Sequence, residues 1–270
     1  MDSHSQRWRE GHDSYRLAGE AWRAYELRCE VAEVARPEAA AFVRAHHYEG
    51  SVSTMRRTHG LFHAGQLVGV ALYGVPLRSC VLTSVFPGDP SQSVELSRFV
   101  LLDEVPYDGE SWTIARSREM LEREGFRGIV AFSDPLPRAT ADGHVVKPGH
   151  IGQIYKASSA VYLGQARKGW IHLLPDGRVF HRRAQTKIRA GEKGWDGAAA
   201  ALVRAGARPP RCLARGAWDA DELRPWLARW LSRLARRVRH PGNHKYAIPF
   251  TRADRRALAA RRVAYPRSDA

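Results

Sequence analysis

The chain has 270 residues, 44% of them hydrophobic, which suffices for one large domain or for a domain of about 150 residues with a smaller unit. It contains no run of about 18 apolar residues and no apolar signal core at the N-terminus, which predicts a cytoplasmic protein without a membrane span. Three widely spaced cysteines (Cys29, Cys80 and Cys212) argue against a disulfide or zinc framework.

The net charge of +15 is concentrated in the C-terminal part of the chain. Residues 1–165 hold 18 Lys/Arg against 20 Asp/Glu, whereas residues 166–270 hold 25 against 8. A genome-wide preference for arginine would enrich both parts equally, so it does not explain this segregation. The pattern predicts a polyanionic partner for the basic part; DNA fits best, with RNA and an acidic protein as alternatives.

The first predicted elements are two helices and a β-hairpin. One helix is predicted over residues 19–34, and a second begins at Pro37 and runs to about His46. Strand-like runs at residues 56–63 and 67–74 are joined by a three-residue turn, which indicates a hairpin.

The next elements carry polar residues where an apolar core would not need them. A predicted strand over residues 94–102 has Ser97 and Arg98 in its middle, and an amphipathic helix over residues 111–124 follows. An Arg in mid-strand is costly to bury unpaired, so Arg98 is expected either to face solvent or to meet a charge.

A carboxylate and a phenol follow in a pattern typical of group-transfer sites. A predicted strand over residues 128–133 ends at Asp134, and a short helix within residues 149–159 carries Tyr155 into a second strand. A carboxylate at the mouth of a strand with a phenol on the next helix suits acid–base chemistry. The alternative is that Asp134 only ends a strand and Tyr155 only packs in the core.

The basic C-terminal part is predicted to contain a hairpin over residues 170–181, polar loops and a long helix over residues 220–239. Asp219 is a fitting N-cap for that helix, and its apolar residues fall on one arc. We predict that the basic residues of this part contact DNA: Arg182, Arg183, Lys187, Arg229, Arg233, Arg236, Arg239, His244 and Lys245. The alternative for the helix is a merely solvated basic face.

The order hairpin, polar-centred strand, helix, strand, short helix, strand resembles that of GNAT-type acyltransferases. The resemblance implies an α/β (α+β) fold in which a mixed central sheet, flanked by helices, splays apart to admit a cofactor. A basic, mainly helical extension would follow this fold. The predicted domains are a polar N-terminal extension (1–36), a GNAT-like catalytic domain (37–181) and a basic DNA-binding extension (182–270).

Three blocks, ELSRFVL, AFSDP and GHIGQIYKASSAVYLG, together resemble the Mom family of bacteriophage DNA-modification proteins. His47-Tyr48, in RAHHYEGSV, fits the His-Tyr element of that family. The resemblance implies a GNAT-like transferase that converts adenine in double-stranded DNA to N6-carbamoylmethyladenine. Such a protein would act in the cytoplasm of a bacterial host and shield phage DNA from restriction.

The resemblance also implies site residues and a cofactor. An iron ion would be held by His47, Tyr48 and Asp134, whose imidazole, phenolate and carboxylate are reasonable iron ligands. Because adjacent strand residues point to opposite faces, His47 and Tyr48 could bind the same ion only if they lie in a loop. Without a metal, Asp134 would serve as general base and Tyr155 as general acid.

The group donor stays open. Ser97 and Arg98 are predicted to orient it in the cleft, and acetyl-CoA or another acyl compound is a candidate. Residues 103–110, however, carry four carboxylates and one glycine where GNAT enzymes bind a pyrophosphate, so this segment would repel one. Tyr48, Tyr73 and Phe132 are candidates to stack on a flipped adenine.

Two other functions fit the same pattern. One is an N-acyltransferase that acts on a protein, a small molecule or a base already modified. The other is a DNA-binding protein with a transferase-like core and no activity. The oligomeric state also stays open, with a dimer as one alternative.

Overall fold

The computed structural model describes residues 20–76, 78–106, 108–147 and 149–266. The helices are, in chain order, α1 (Glu20–Glu26), α2 (Arg36–His46), α3 (Cys80–Thr83), α4 (Gly109–Arg123), α5 (Gln153–Ala157), α6 (Arg182–Ala190), α7 (Trp195–Arg204), α8 (Arg211–Ala214), α9 (Ala220–Leu234) and α10 (Arg252–Ala259). No helix among these residues is both long enough and apolar enough to span a membrane.

The strands alternate with these helices along most of the chain. They are β1 (Cys29–Glu33), β2 (Arg57–His63), β3 (Gln66–Gly74), β4 (Ser93–Leu101), β5 (Gly128–Ser133), β6 (Arg138–Ala139), β7 (Val145–Lys147), β8 (Val161–Gln165), β9 (Gly169–Leu173), β10 (Arg236–His240) and β11 (His244–Pro249).

Two compact units divide the chain. The first comprises Met1–Pro135, His150–Ala166 and Asn243–Ala270, and the second comprises Leu136–Gly149 and Arg167–Gly242. This division does not coincide with the boundaries predicted after residues 36 and 181. The predicted boundaries follow composition, whereas the observed units follow backbone pairing. This pairing places β11, near the C-terminus, in the sheet of the first unit.

The first unit is built on a seven-stranded mixed sheet in the order β1-β2-β3-β4-β5-β11-β8. Its central strands are apolar on both faces because helices cover both. Ile114 and Leu121 of α4 pack against one face, and Ala39 and Val43 of α2 pack against the other. The fold class predicted from the sequence, a mixed α/β sheet flanked by helices, is confirmed.

The sheet splays between β4 and β5, its one parallel pair within the described residues. These strands pair only over Ser93–Leu96 and Gly128–Ala131. Beyond Leu96, β4 continues along β3 alone, and beyond Ala131, β5 continues along β11 alone. A bulge on β4 lies at the parting point, since Leu72 faces Arg98 and Tyr73 faces Leu96, leaving Ser97 as the extra residue.

The helix predicted over residues 19–34 is wrong in its second half. Helix α1 ends at Glu26, and Cys29–Glu33 form β1, which pairs antiparallel with β2 along its whole length. Pairing with the otherwise open edge of β2 satisfies the backbone groups of this segment, and that tertiary contact overrides the helical periodicity.

The helix predicted over residues 220–239 is also shorter than expected. Asp219 caps α9 as predicted, accepting hydrogen bonds from the backbone amides of Asp221 and Glu222. The helix ends at Leu234, and β10 takes the next residues into a two-stranded ribbon with β9. Since β9 pairs with β10, the hairpin predicted over residues 170–181 is reduced to a single bridge between Leu173 and Val179.

The second unit has its own core, formed by α6, α7, α8 and α9. Ile188, Leu202, Cys212, Leu223 and Leu227 are fully buried in it. The ribbons β9–β10 and β6–β7 complete this unit. The basic C-terminal part is therefore a folded body with helices and strands.

A charged contact joins α10 to the rest of the first unit. The Arg127 guanidinium, just before β5, contacts the buried Asp254 carboxylate, which also accepts a hydrogen bond from the Thr251 hydroxyl. Burial alone would raise the pKa of Asp254, but the Arg127 and Thr251 hydrogen bonds outweigh burial and lower it.

We predict that Asp254→Asn lowers the free energy of unfolding by about 1–3 kcal/mol at neutral pH, because Arg127 then lacks its counter-charge. A lowered pKa stabilises the fold above the unfolded value of about 3.9, so the deficit shrinks as pH falls below about 4. Urea unfolding at several pH values measures this. Arg116→Ala, which breaks the exposed pair with Glu119, is the control and should change little. A pH-independent deficit for Asp254→Asn would contradict the assignment.

Candidate active site at the splay of the sheet

The bulge on β4 ties the splay to the loop that follows α2. The Ser97 hydroxyl donates to the Leu72 carbonyl (3.0 Å) and accepts a hydrogen bond from the Ser53 hydroxyl (2.6 Å). Arg98 donates through Nε to the Ser51 carbonyl (3.0 Å) and through a terminal nitrogen to the Ser51 hydroxyl (3.2 Å). Both predicted donor-orienting residues therefore position this loop, and a direct contact with a donor stays a prediction.

His47 and Tyr48 lie in that loop, directly after α2. His47 is 5% exposed, and its Nδ1 accepts a hydrogen bond from the Glu49 backbone amide (3.1 Å). The two rings stack with centroids 4.3 Å apart. Adjacent side chains can share one side here because the backbone turns after His46, so the loop condition for joint binding is met.

Asp134 and Tyr155 lie on the β5 side of the splay, and Tyr155 belongs to α5. Asp134 directly follows β5, is half-buried, and its carbonyl accepts a hydrogen bond from the His150 amide (3.0 Å). The Tyr155 hydroxyl donates to the Phe132 carbonyl near the end of β5 (3.3 Å). Asp134 and the Tyr155 hydroxyl, which are predicted to act together, therefore both lie near the end of β5.

The pKa of Tyr155 is raised well above its ordinary value. Burial is the main cause, and the phenols of Tyr48 and Tyr246 add to it because their ionised forms would repel a second phenolate. Tyr155 therefore stays a neutral hydroxyl at physiological pH and can donate a proton. The same repulsion places Tyr48 within electrostatic reach of Tyr155, so the structure brings these two predicted residues together.

Gly152 sets the position of Tyr155. It begins α5 with a φ of 80°, in the left-handed region that favours glycine. A Cβ atom there would lie 2.8 Å from the Tyr155 ring and 2.9 Å from the Tyr246 ring. The glycine in GHIGQIYKA thus permits the close approach of the chain to both phenols.

Glu95 is a candidate that the sequence analysis missed. It lies on β4 two residues before the bulge, and burial raises its pKa, while the Arg98 charge acts in the opposite direction. Glu95 also raises the pKa of Tyr155, which brings it within reach of the site. The signal was present, because a Glu inside the apolar run VELSRFVLL is as unusual as the Ser and Arg that follow it.

Tyr73 is wrong as a candidate to stack on a base. It is fully buried between β2 and α4, with its ring against His59, so no ligand can reach it. Tyr48 and Phe132, both half-buried at the splay, keep this role as a prediction.

The predicted DNA-binding residues lie on four elements, α6, α9, β10 and β11. Arg182, Arg183 and Lys187 lie on α6, and Arg183 contacts Glu192. Arg229 and Arg233 lie on the exposed side of α9. Arg236 and Arg239 were placed on the same helical face, which is wrong because they lie on β10.

His244 and Lys245 do not lie in a surface loop as predicted. Both belong to β11 within the sheet of the first unit. His244 is buried, its Nδ1 is 2.7 Å from the Tyr162 hydroxyl, and Lys245 donates to the Ser84 hydroxyl (3.0 Å). These contacts give both side chains a structural role.

A cavity of about 560 Å³ lies elsewhere in the first unit, against α4. Ser111, Trp112, Arg118, Ser158 and Arg255 are among the residues that line it, and none of the predicted site residues does. The cavity is therefore a different place from the candidate site at the splay.

We predict that Glu95→Gln stabilises the protein at neutral pH by about 0.5–2 kcal/mol, the usual range for relieving such a site. A carboxyl whose folded pKa is raised favours folding only below its unfolded value of about 4.3 and opposes it as pH rises. Thermal unfolding at several pH values should show the gain vanish below about pH 4. Glu119→Gln, on the exposed face of α4, is the control. Destabilisation by Glu95→Gln at neutral pH would contradict the assignment.

The chain matches the Mom protein family over residues 28–267. None of the curated protein sequences compared with the chain matches it. Among solved structures, it is similar to a tandem GNAT protein from the clavulanic acid biosynthesis pathway, solved without AcCoA. That likeness has a TM-score of 0.42 at 10% identity and covers 82% of this chain and 98% of the other. The family match spans nearly the whole chain and includes every residue gathered at the splay, so the chain belongs to the Mom protein family.

Proposed function

We propose that this protein is a transferase that attaches a carbamoylmethyl-type group to N6 of adenine in DNA and so protects phage DNA from restriction. Membership of the Mom family suggests DNA modification as the class of function. The observation that carries the proposal is the gap between β4 and β5, with Glu95 on the first strand, Asp134 directly after the second, and the Tyr155 hydroxyl bonded to the Phe132 carbonyl. This gap is where a splayed sheet leaves room for substrates.

The reaction is an alkylation of a weak nucleophile. The lone pair of N6 is delocalised into the adenine ring, so attack is aided when a base removes a proton from N6. A bond forms between N6 and the CH2 carbon of the donor, and the bond between that carbon and its leaving group breaks. Asp134, at the mouth of β5, accepts the N6 proton, and Tyr155 donates its proton to the leaving group.

The electrostatics of the site keep Tyr155 in the protonated form that its proposed role requires. The raised pKa of Tyr155 keeps its proton on the oxygen until a stronger base develops on the leaving group. The Tyr155 hydroxyl is held near the β5 end by the Phe132 carbonyl, a bond that it can give up when a leaving group arrives. Glu95 supplies negative charge beside Arg98 and opposes ionisation of Tyr155.

Adenine N6 is reached by flipping the base out of the duplex, which costs a few kcal/mol of stacking and pairing. A flipped base is stabilised by an aromatic platform. Tyr48 suits this role because its ring is half-buried, lies in the loop over the splay and is braced by the ring of His47.

The His47, Tyr48 and Asp134 side chains suit iron by donor chemistry. His47 is held in place by the hydrogen bond that its Nδ1 accepts from the Glu49 amide. As the alternative to a metal-free Asp134 base and a stacking Tyr48, we propose that these three side chains would hold iron, which would supply Lewis-acid or redox chemistry when bound. No cluster of three or more His, Cys, Asp or Glu suited to a metal is found in the described part of the chain, and this mixed set with tyrosine lies outside that pattern.

The donor differs from a standard acetyl-CoA in this proposal. Acyl transfer from a thioester would place a carbonyl on N6, whereas the proposed product carries a CH2 there. The first turn of α4, where a pyrophosphate would bind in a GNAT enzyme, also carries Glu110 and follows an acidic segment.

We predict that DNA co-expressed with the wild-type protein contains a heavier deoxyadenosine, whose mass gives the added group. Asp134→Asn should lower the modified fraction at least about 100-fold, because it removes a general base. Asp89→Asn, at an exposed carboxylate that caps a short 3-10 helix, should modify DNA as the wild type does. Mass spectrometry of digested nucleosides measures all three. An unmodified nucleoside pool with the wild type, or full modification with Asp134→Asn, would contradict the proposal.

We predict that one substitution abolishes iron binding and that another slows the reaction while iron stays bound. Purified wild-type protein should carry iron by elemental analysis, and His47→Ala should lose it. Tyr155→Phe should keep the metal yet modify DNA at least about 100-fold more slowly, since it lacks only the donated proton. Tyr265→Phe, a hydroxyl that contacts the Ala160 carbonyl, is the matched control. Equal iron content in the wild type and His47→Ala would reject the metal assignment alone.

A further inference from the structure

The β9–β10 ribbon of the second unit has two chemically different faces. Strand register places Trp170 opposite Arg239 and His172 opposite Arg237, so these four side chains share one face. The other face carries Ile171, Leu173 and Val238, of which Leu173 is buried, with Arg236 and His240 at its two ends. The first set, Trp170, His172, Arg237 and Arg239, is called the arginine face below.

An exposed tryptophan organises the arginine face. Trp170 is 53% exposed, unusual for so large an apolar side chain. The Arg237 guanidinium lies 4.3 Å from its ring centroid and that of Arg239 lies 5.7 Å away. Stacking on an indole holds a guanidinium by its flat surface and leaves its N–H donors, which lie in the guanidinium plane, directed outward.

Neither guanidinium is neutralised. Within the described part of the chain, Arg237 and Arg239 make no ion pair with a carboxylate and no side-chain hydrogen bond, and both are exposed. Arg183 of α6, in contrast, contacts Glu192. The two arginines on the ribbon thus keep their full hydrogen-bonding capacity for an external anion.

Positive charge continues from the ribbon to α6. Burial lowers the pKa of His172, and the charges of Arg237 and Arg189 lower it further, which places Arg189 of α6 beside this face. His172 is also 3.2 Å from the Gln185 amide of the same helix. The second unit as a whole holds 20 Lys/Arg against 7 Asp/Glu, so the face lies in a field that attracts polyanions.

We propose that the arginine face of the β9–β10 ribbon binds the phosphate backbone of duplex DNA, with Arg237 and Arg239 contacting phosphates and Trp170 bracing them. Duplex DNA is the occupant because it presents regularly spaced anions to a two-stranded ribbon, an element that fits the major groove. The inference rests on the proposed function for the identity of the partner. It assigns the main contact with DNA to the ribbon, in place of the basic side of α9.

The test is the affinity of the purified full-length protein for a short fluorescent DNA duplex over a series of salt concentrations. The variants are Trp170→Ala, Arg237→Lys and the double variant Arg237→Ala/Arg239→Ala. Arg116→Ala is the matched control: its guanidinium also lies over a tryptophan, Trp112 at 5.3 Å, but pairs with Glu119 in the first unit. Circular dichroism verifies that each variant is folded, as expected for exposed side chains.

The double variant should bind at least about tenfold more weakly, and the slope of log Kd against log salt should fall by about two because two phosphate contacts are lost. Trp170→Ala and Arg237→Lys should each weaken binding about threefold with no more than a small change in slope, since each keeps the charge and loses the stack. Arg116→Ala should match the wild type.

Three results would overturn the inference: no binding of duplex DNA by the wild type, a double variant that behaves as Arg116→Ala does, or tighter binding of an RNA duplex of the same sequence. Nucleoside mass spectrometry keeps this inference separate from the proposed function. A wild-type protein that binds DNA through this face yet leaves deoxyadenosine unaltered would support the inference and contradict the proposed function.

Discussion

The early parting of β4 and β5 is the constraint on which the rest of the site depends. Parallel strands can pair along their whole length, yet these two pair over four residues each. The bulge at Ser97 turns β4 along β3, while β11 holds β5 on the other side. Ser97 accepts a hydrogen bond from Ser53 and Arg98 donates one to Ser51, so β4 holds the loop that carries His47 and Tyr48. Polar residues that would destabilise a continuous strand thus form the frame of the opening.

Burial, more than direct pairing, sets the chemistry of this opening. Tyr155 and Glu95 both have raised pKa values, and desolvation is the first cause in each case. A low-dielectric site strengthens the interaction of a carboxylate and a phenol with a developing charge. Such a site also costs stability, because charged groups are held where water solvates them poorly. The apolar cores on both faces of the sheet offset that cost.

The sequence predicted what local pattern determines: the β2–β3 hairpin, the polar-centred strand β4 and the cap of α9 at Asp219. It failed where partners distant in the chain decide the outcome. Residues 29–33 became a strand because β2 offers an edge, and Arg236–His240 became a strand because β9 does. His244 had the composition of a surface loop but lies in the sheet, since β5 and β8 need a strand between them. Glu95 was visible as an anomaly, but its role depended on a fold that brings Tyr155 near it.

The position of β11 has a consequence for synthesis of the chain on the ribosome. Strands β5 and β8 leave the exit tunnel well before their common neighbour, and all of Arg167–Gly242 is translated in between. During that interval each presents an unpaired edge, the kind of surface that invites intermolecular pairing. The nascent sheet closes only when His244–Pro249 emerges. Premature termination within the second unit would leave β5, the strand that ends before Asp134, without its partner β11.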